Sequence, residues 1–330
     1  MVDLRSHYQT LQFYLASFSQ TRPLAKSMKI AVVVLAWNSA KYISGCLTSL
    51  KMLHPGENKV EVIVVDNASS DNSANLAKSK YPAFKIIKNS SNLGYAQGNN
   101  TGIREALKND ADFVWVINPD VTVSPDSLLA LLASAGKYPQ AGVFTPKIYF
   151  AKGFEFHKER YSKSDLGKVI WSAGGFIDWA NLIAVHRGVD EVDIGQYNAN
   201  SLCDFATGAS IFIRAPVFKR IGLIDPKYYL YYEENDFCQR SRSAGWQIMY
   251  IADSVCWHAN AQATGIGSPL VDYYTTRNRL LFGFRWASLR TKFALFRESL
   301  KLLFTGRKWQ KRGILDFYLM RLGKGSHVTN

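Results

Sequence analysis

The chain has 330 residues, of which 47% are hydrophobic and 20% charged. This is the composition of one large or two ordinary globular domains, and it excludes an intrinsically disordered protein. The net charge of +14 is uneven, because residues 271–330 carry 13 Lys and Arg against three acids, Asp272, Glu298 and Asp316. Such a tail calls for an anionic partner, either nucleic acid or a membrane surface; the near-neutral remainder does not suit a protein devoted to DNA. The dispersed cysteines Cys46, Cys203, Cys238 and Cys256 form no CxxC pair. Their spacing argues against a zinc site or a disulfide framework and for a reducing cytosol. No run approaches the ~18 apolar residues that span a bilayer, and the start lacks a signal-peptide pattern, so a cytoplasmic or peripheral membrane protein is expected.

Residues 1–27 place Leu4, Tyr8, Leu11, Tyr14, Leu15 and Phe18 near helical spacing, with Pro23 closing the segment. They predict an amphipathic helix that docks on the body or on a partner. From Lys29 the pattern alternates. Ile30–Ala36 reads as a strand ending at Trp37-Asn38, Ala40–Leu53 as a helix with Ser39 as its cap, and Val60–Val65 as a strand running into Asp66-Asn67. A helix through Ala77, a short strand at Phe84–Lys88 and a helix from the Asn92–Asn100 stretch to about Lys108 follow. Phe113–Ile117 is the next strand and ends in Asn118-Pro119-Asp120. Buried apolar strands alternating with helices predict an α/β fold, with a mostly parallel, Rossmann-like central sheet covered on both faces.

In open α/β sheets, ligands bind beyond the carboxyl ends of the strands. Asn38, Asp66 and Asp120 each close a predicted strand, so all three would line one crevice. Asn-Pro-Asp is also ordinary turn chemistry, and the shared edge is what favours a site. The glycine stretch around Gly94 and Gly98 is neither GxGxxG nor a Walker loop, which excludes both nucleotide fingerprints. Those glycines would still let backbone approach a ligand, with the N–H groups of the following helix facing a phosphate; the other reading is a flexible loop.

Residues 136–200 read as irregular, rich in Gly and aromatics, with a turn between short strands at Trp171–Asp178, and as the wall that meets a second substrate. Ile211–Arg214 is a strand, and the aromatic run Tyr228–Tyr232 leads into Glu233-Glu234-Asn235-Asp236, which opens a helix to about Ala244. Acids in a first helical turn are favoured by the dipole. Three carboxylates behind Tyr229, Tyr231 and Tyr232 are more than a cap needs, and one of them, desolvated, could act as a general base. Trp246–Ile251 is another strand, and Val255–His258 ends in a lone histidine, either structural or a metal ligand. In residues 272–305, Arg277, Arg279, Arg285, Arg290, Lys292, Arg297 and Lys301 alternate with Leu, Phe and Trp at helical spacing. Such a helix lies in an anionic membrane interface, or packs its apolar face on the body with its charges solvated.

The segments VVVLAWNSAKYISGCLTSL, VIVVDNASSDNS, NLGYAQGNNTGIREA, INPDV, the long stretch from ATGAS to SAGW, and CWHAN follow one another across residues 29–280. In that order they resemble family 2 glycosyltransferases, and more narrowly the bacterial rhamnosyltransferase-like branch that builds surface polysaccharides. The resemblance implies a GT-A fold in residues 28–270, with a donor half at about 28–135 and an acceptor half at 136–270, followed by a basic helical tail. It implies inverting transfer of a sugar from a nucleoside-diphosphate donor to a glycan or lipid-diphosphate-linked acceptor. dTDP-rhamnose is the first candidate donor and a UDP-hexose the next. By position, Asp66 would bond the donor base, and Asp120 would bind the Mg²⁺ or Mn²⁺ that bridges the diphosphate. His258 would complete the metal shell. Glu234 would be the base, with Glu233 and Asp236 orienting the acceptor or holding the helix. Asn38, Gly94, Asn99 and Asn118 complete the donor-binding set. The chain departs from the pattern where Asn118 replaces the first acid of Asp-x-Asp, and where Glu234 replaces the second acid of a Glu-Asp pair. The expected setting is peripheral, on the inner face of the cell membrane at an anionic surface, without nucleic acid as a partner and with a homo-oligomer allowed.

Overall fold

The structure, a computed structural model, describes residues 27–259 and 267–327. The helix expected within residues 1–27 lies outside the described residues. β1 (Lys29–Ala36), α1 (Ile43–Lys51), β2 (Lys59–Asp66), α2 (Ser73–Lys80), β3 (Lys85–Lys88), α3 (Gly94–Lys108) and β4 (Phe113–Ile117) alternate in the expected order. β5 (Val121–Val123), α4 (Ser127–Lys137), β6 (Ala141–Phe150), β7 (Ile170–Ser172), β8 (Gly175–Asp178), β9 (Ile183–His186), β10 (Ser201–Leu202) and β11 (Ser210–Arg214) follow. The chain continues through α5 (Ala215–Ile221), α6 (Glu233–Ser243), β12 (Gln247–His258), α7 (Pro269–Trp286), α8 (Leu289–Thr305) and α9 (Lys308–Tyr318).

The central sheet runs in the order β10-β12-β6-β11-β4-β1-β2-β3. β1 pairs in parallel with β2 and β4, β2 with β3, and β6 with β12. β11 alone separates the two parallel blocks, antiparallel to both β4 and β6. Successive side chains of β1 enter opposite cores. Ile30, Val32 and Val34 pack with Leu47 of α1 and Leu131 of α4, whereas Ala31, Val33 and Leu35 pack with Ile103 of α3. Burial on both faces is why this strand reads as a continuous apolar run without alternation.

Residues 136–200 are less irregular than expected, because β6 is a ten-residue, almost wholly buried strand inside the sheet. Pro146 and Lys147 interrupt its apolar pattern and conceal it. β6 pairs with β11 only at Val143 and Phe144, and with β7 at Ile148 and Tyr149, so Pro146 falls in the gap between those partners. On its other side Pro146 stands opposite Ile251 of β12, at the point where the register of that pairing shifts, an irregularity of the kind that tolerates a residue without an N–H. Lys147 is neutralised by Asp193 at 2.8 Å and donates to Asn198 Oδ1. The two strands expected at Trp246–Ile251 and Val255–His258 are one, β12, with a register shift between Ile251 and Val255.

The C-terminal helices are part of the body. Leu280 and Phe282 of α7, Leu295 of α8, and Ile314 and Phe317 of α9 join the core that holds Ile211 and Phe237. The expected division between residues 270 and 271 therefore falls inside α7, which Ser268 caps by accepting from Val271 N. Two cations assigned to a basic surface also sit elsewhere: Arg277 is 0% exposed, and Arg285 pairs with Asp225 and Asp236. Phe282 packs between Trp179 and Tyr232, at ring distances of 5.8 and 5.7 Å. Phe282→Ala should lower the stability of the whole unit by about 3–5 kcal/mol, the range for a buried aromatic truncation. Denaturant unfolding should show one shifted transition, whereas a solvated tail would leave it unmoved.

Candidate active site

β1, β2 and β4 run in one direction in register, with Ala36 beside Asp66 and Val34 beside Ile117. Their carboxyl ends therefore open on the same edge, where a cleft of about 570 Å³ lies. It is lined by Trp37 and Asn38 after β1, Asn67 after β2, Asn118 and Asp120 after β4, Gly94 and Tyr95 of α3, Tyr229 and Leu230, and Leu270 and Tyr274 of α7. Asn38, at a left-handed φ of 48°, ties two loops together: its Oδ1 accepts from Ser70 N at 2.9 Å and its N donates to Ser69 Oγ. Asp66 is buried at the end of β2 and accepts from Ser69 N at 3.1 Å; Asn67 beside it borders the cleft, with its side-chain amide held by Asn89, Asn92 and Leu93. Asn99 is also buried behind the lining, with Nδ2 donating to the Tyr95 carbonyl and Oδ1 without a partner.

The two glycines have a different role from the one expected. A Cβ on Gly94, whose φ is +76°, would fall 2.4 Å from the Tyr229 ring, and one on Gly98 would fall 2.7 Å from Leu35. The close approaches are thus of α3 to the aromatic loop and to the sheet. The first-turn amides are also occupied: Gly94 N donates to Asn92 Oδ1, and Tyr95 N and Ala96 N donate to the Tyr229 carbonyl. These N–H groups are not a phosphate cradle.

Asp120 and His258 meet although 138 positions separate them, and strand pairing is the reason. β5 begins directly after Asp120 and runs antiparallel to the end of β12, with Val121 opposite His258. Ala259 N donates to the Asp120 carbonyl at 2.9 Å. His258 Nε2 consequently stands 3.3 Å from Asp120 Oδ1, while its ring abuts Trp171 edge-on and its buried Nδ1 has no partner.

The acids of α6 diverge in environment. Tyr229, Tyr231 and Tyr232 just before them hold φ of 63°, 69° and 70°, a left-handed conformation that is strained for an aromatic residue. The fully buried Asn278 of α7 holds that loop, its Nδ2 donating to the carbonyls of Tyr228, Leu230 and Tyr231, each at 2.8 Å. Asp236 is saturated by Arg240 Nε at 2.8 Å, Arg285 Nη1 at 2.9 Å and Trp286 Nε1 at 2.9 Å. Glu233 and Glu234 each keep one buried carboxylate oxygen without a partner. Burial, and then the neighbouring Glu234, push the Glu233 carboxyl well up. Burial raises Glu234 to about 7. Tyr95 joins the two sides of the cleft: its hydroxyl donates to the Gly208 carbonyl, and burial together with the charges of Glu233, Glu234 and Asp120 raises its pKa. Tyr95, Asn67 and Tyr274 were not singled out from the sequence. No periodicity or charge pattern marks them; only the three-dimensional lining does.

An α/β sheet with a cleft at its strand ends, lined by Asp120, has the layout of a ligand-binding enzyme, and sequence comparison supplies its class. The description Glycosyl transferase family 2 matches residues 31–219, more than half the chain, and the protein belongs to this family. It is 28% identical over 244 residues to the N-acetylglucosaminyl-diphospho-decaprenol L-rhamnosyltransferase of Mycobacterium tuberculosis, covering 72% of this chain and 78% of that protein. Among solved structures it is similar to GalNAc-T7 with UDP, GalNAc and Mn²⁺ (TM-score 0.62, 15% identity, 88% of this chain). The chain spans 54% of that protein's length. It is also similar to the mannosyltransferase PcManGT of Pyrobaculum calidifontis with GDP-Man and Mn²⁺ (TM-score 0.52, 14% identity), covering 96% of this chain and 93% of that one. These likenesses establish a glycosyltransferase with a GT-A-like fold.

Asn278→Ala removes the side-chain donor from the Leu230 and Tyr231 carbonyls, while the Tyr228 carbonyl keeps Arg277. It should cost about 1–3 kcal/mol in denaturant unfolding, the range for an unmet buried polar group. Turnover should fall further than stability predicts, because the loop that positions Glu234 is released.

Proposed function

We propose that the protein is an inverting, metal-dependent glycosyltransferase that moves rhamnose from dTDP-rhamnose to a hydroxyl of a lipid-diphosphate-linked glycan, in bacterial surface-polysaccharide synthesis at the inner face of the cell membrane. One observation carries this reading: Asp120, paired with His258, lines the cleft beside Tyr95, and the desolvated carboxylates Glu233 and Glu234 lie near enough to Tyr95 to raise its pKa together with Asp120. The mycobacterial relative, a rhamnosyltransferase acting on N-acetylglucosaminyl-diphospho-decaprenol, supports the sugar and the lipid diphosphate. A second reading, transfer from a UDP-hexose, is supported by 26% identity to the low-salt glycan biosynthesis hexosyltransferase Agl10 of Haloferax volcanii.

The residues fit a divalent cation of the kind that both solved relatives contain. Among the described residues no three acids, histidines or cysteines form a closed cage. Asp120 and His258 would hold the ion from one side, with the diphosphate supplying further oxygens, as Mg²⁺ and Mn²⁺ sites on nucleotides do. Bound there, the cation neutralises charge on the departing nucleoside diphosphate. Asn118 adds a neutral ligand in place of a second carboxylate, so metal and donor should bind together.

On the acceptor side, Glu234 takes the proton of the attacking hydroxyl as the new C–O bond forms and the bond from the anomeric carbon to the diphosphate breaks on the opposite face. A positioned base contributes ~10²–10⁴ in rate. Glu234 suits this step better than Glu233, because it is raised only to about 7, whereas burial and the neighbouring Glu234 push Glu233 well up toward its neutral form. Asp236, saturated by two arginines and a tryptophan, holds α6 against α7.

A screen of nucleotide sugars for Mg²⁺- or Mn²⁺-dependent hydrolysis should single out dTDP-rhamnose; hydrolysis of a UDP-hexose in its place would select the second reading. Asp120→Ala should abolish metal-dependent donor binding by calorimetry. Glu234→Gln should retain donor binding and lose transfer by at least about 10²; unimpaired transfer would move the base to Glu233. In the parent enzyme kcat/KM should drop as pH falls through about 7, since the working form is the carboxylate. Stability should move the opposite way. A carboxyl raised from 4.5 to about 7 contributes stability that is fully present below 4.5 and lost as pH rises through 7. Glu234→Gln should therefore melt above the parent at alkaline pH and match it at acidic pH.

A further inference from the structure

We propose that the outer face of the α8–α9 hairpin is a docking surface for an anionic lipid bilayer. This surface is remote from the transfer chemistry and stands without it. On α8, Leu289, Phe293, Phe296, Leu300 and Phe304 are spaced by four, three, four and four residues. At about 100° per residue they fall on one stripe roughly 80° wide. All five are exposed, Leu289 by 84%, Phe293 by 63% and Phe304 by 83%. The helix has already met its folding requirement on another face, where Leu295 and Ser299 are buried against the body. The stripe is therefore a second apolar surface, which no other described element covers.

α9 extends it. Leu315, Tyr318 and Leu319 are exposed at its C-terminal end, and the Tyr318 hydroxyl meets Ser299 Oγ of α8 at 2.7 Å. At the turn, Lys311 Nζ donates to the Phe304 carbonyl. Residues 289–320 hold eight Lys and Arg against two acids. The two acids offset little of this charge: Asp316 is buried beneath Tyr273 and Ser326 and pairs with Arg312 at 3.7 Å, and Glu298 is paired with Arg279. Arg290, Arg297 and Lys301 rim the stripe on α8, and Lys308 and Arg312 rim it on α9.

This combination selects the occupant. A second copy meeting through the same face would set like charges against each other. A nucleic acid would satisfy the cations and leave the Leu and Phe stripe in water. An anionic bilayer accepts both, with the apolar side chains sinking ~5–10 Å to the acyl boundary and the cations staying among headgroup phosphates. No described helix is long and apolar enough to cross a membrane, so the surface would lie on the bilayer. α9 packs along α7 through Gly313, where an added Cβ would meet the Tyr273 carbonyl at 2.6 Å. α7 in turn supplies Leu270 and Tyr274 to the cleft. The docked face and this part of the cleft lining are thus joined through packed helices.

The test is co-sedimentation of the full chain with phosphatidylglycerol–phosphatidylcholine vesicles and with pure phosphatidylcholine vesicles. Binding at low salt should be at least ~10-fold stronger to the anionic vesicles and should weaken as salt is raised. Phe293→Ser with Phe304→Ser, and separately Arg297→Glu with Lys301→Glu, should each reduce binding ~10-fold or more. Melting temperature and donor hydrolysis without vesicles should stay unchanged in both variants, which separates this inference from the transfer reaction. Absence of binding to anionic vesicles at low salt would overturn the proposal, as would undiminished binding by both variants. A solution dimer dissolved by Phe293→Ser with Phe304→Ser would also overturn it, in favour of a second copy as the occupant.

Discussion

The side-chain amide of Asn278 gathers the carbonyls of Tyr228, Leu230 and Tyr231, and the geometry of the cleft depends on that grip. Three left-handed tyrosines in four positions store strain on the order of 1–3 kcal/mol each. Burial and bonding on every side offset it. Arg277 adds a bond to the Tyr228 carbonyl at 3.0 Å, and the Tyr229 ring stacks on Tyr274 at 5.1 Å. From this loop the site follows in three directions. The Tyr229 carbonyl caps α3 and so fixes Gly94 and Tyr95, Tyr232 starts α6 and so fixes Glu233 and Glu234, and Tyr229 and Leu230 form part of the cleft wall.

The same stretch shows how neighbouring acids acquire different chemistry. Helical geometry turns successive side chains by about 100°, so Glu233, Glu234 and Asp236 enter three environments. Asp236 meets two guanidiniums and an indole and serves as a structural anion. Glu233 is buried against its neighbour and driven towards its neutral form, while Glu234 is raised only to about 7. The helix dipole would favour all three equally, and the distinction comes from what other elements place opposite each one.

The positive charge divides in a similar way. Arg277 and Arg240 are used inside the fold on backbone carbonyls, and Arg285 bridges Asp225 and Asp236. Within residues 271–330 the cations that face outward belong mainly to α8 and α9, beside exposed apolar side chains. A composition count merges these populations, and only burial separates a cation that holds a loop from one that offers itself to a partner.

Much of the fold was legible in the sequence. β1, β2 and β4 announce themselves as apolar runs because both faces of the sheet are covered, and Asn38, Asp66 and Asp120 mark where those runs end. The glycine-rich start of α3 and the acidic start of α6 were equally plain. β6 was not, because Pro146 and Lys147 break its pattern and are acceptable only given the gap beside β11 and the presence of Asp193. Local sequence thus determined which residues lie at strand and helix ends, since periodicity and turn chemistry are short-range properties. Tertiary structure alone decided that Asn67 and Tyr95 border the cleft while Asp66 and Asn99 do not. It also decided that β5–β12 pairing sets His258 beside Asp120, and that an amide 44 residues beyond Glu234 holds the loop that aims it. Those outcomes depend on contacts between segments far apart in the chain, which no local pattern encodes.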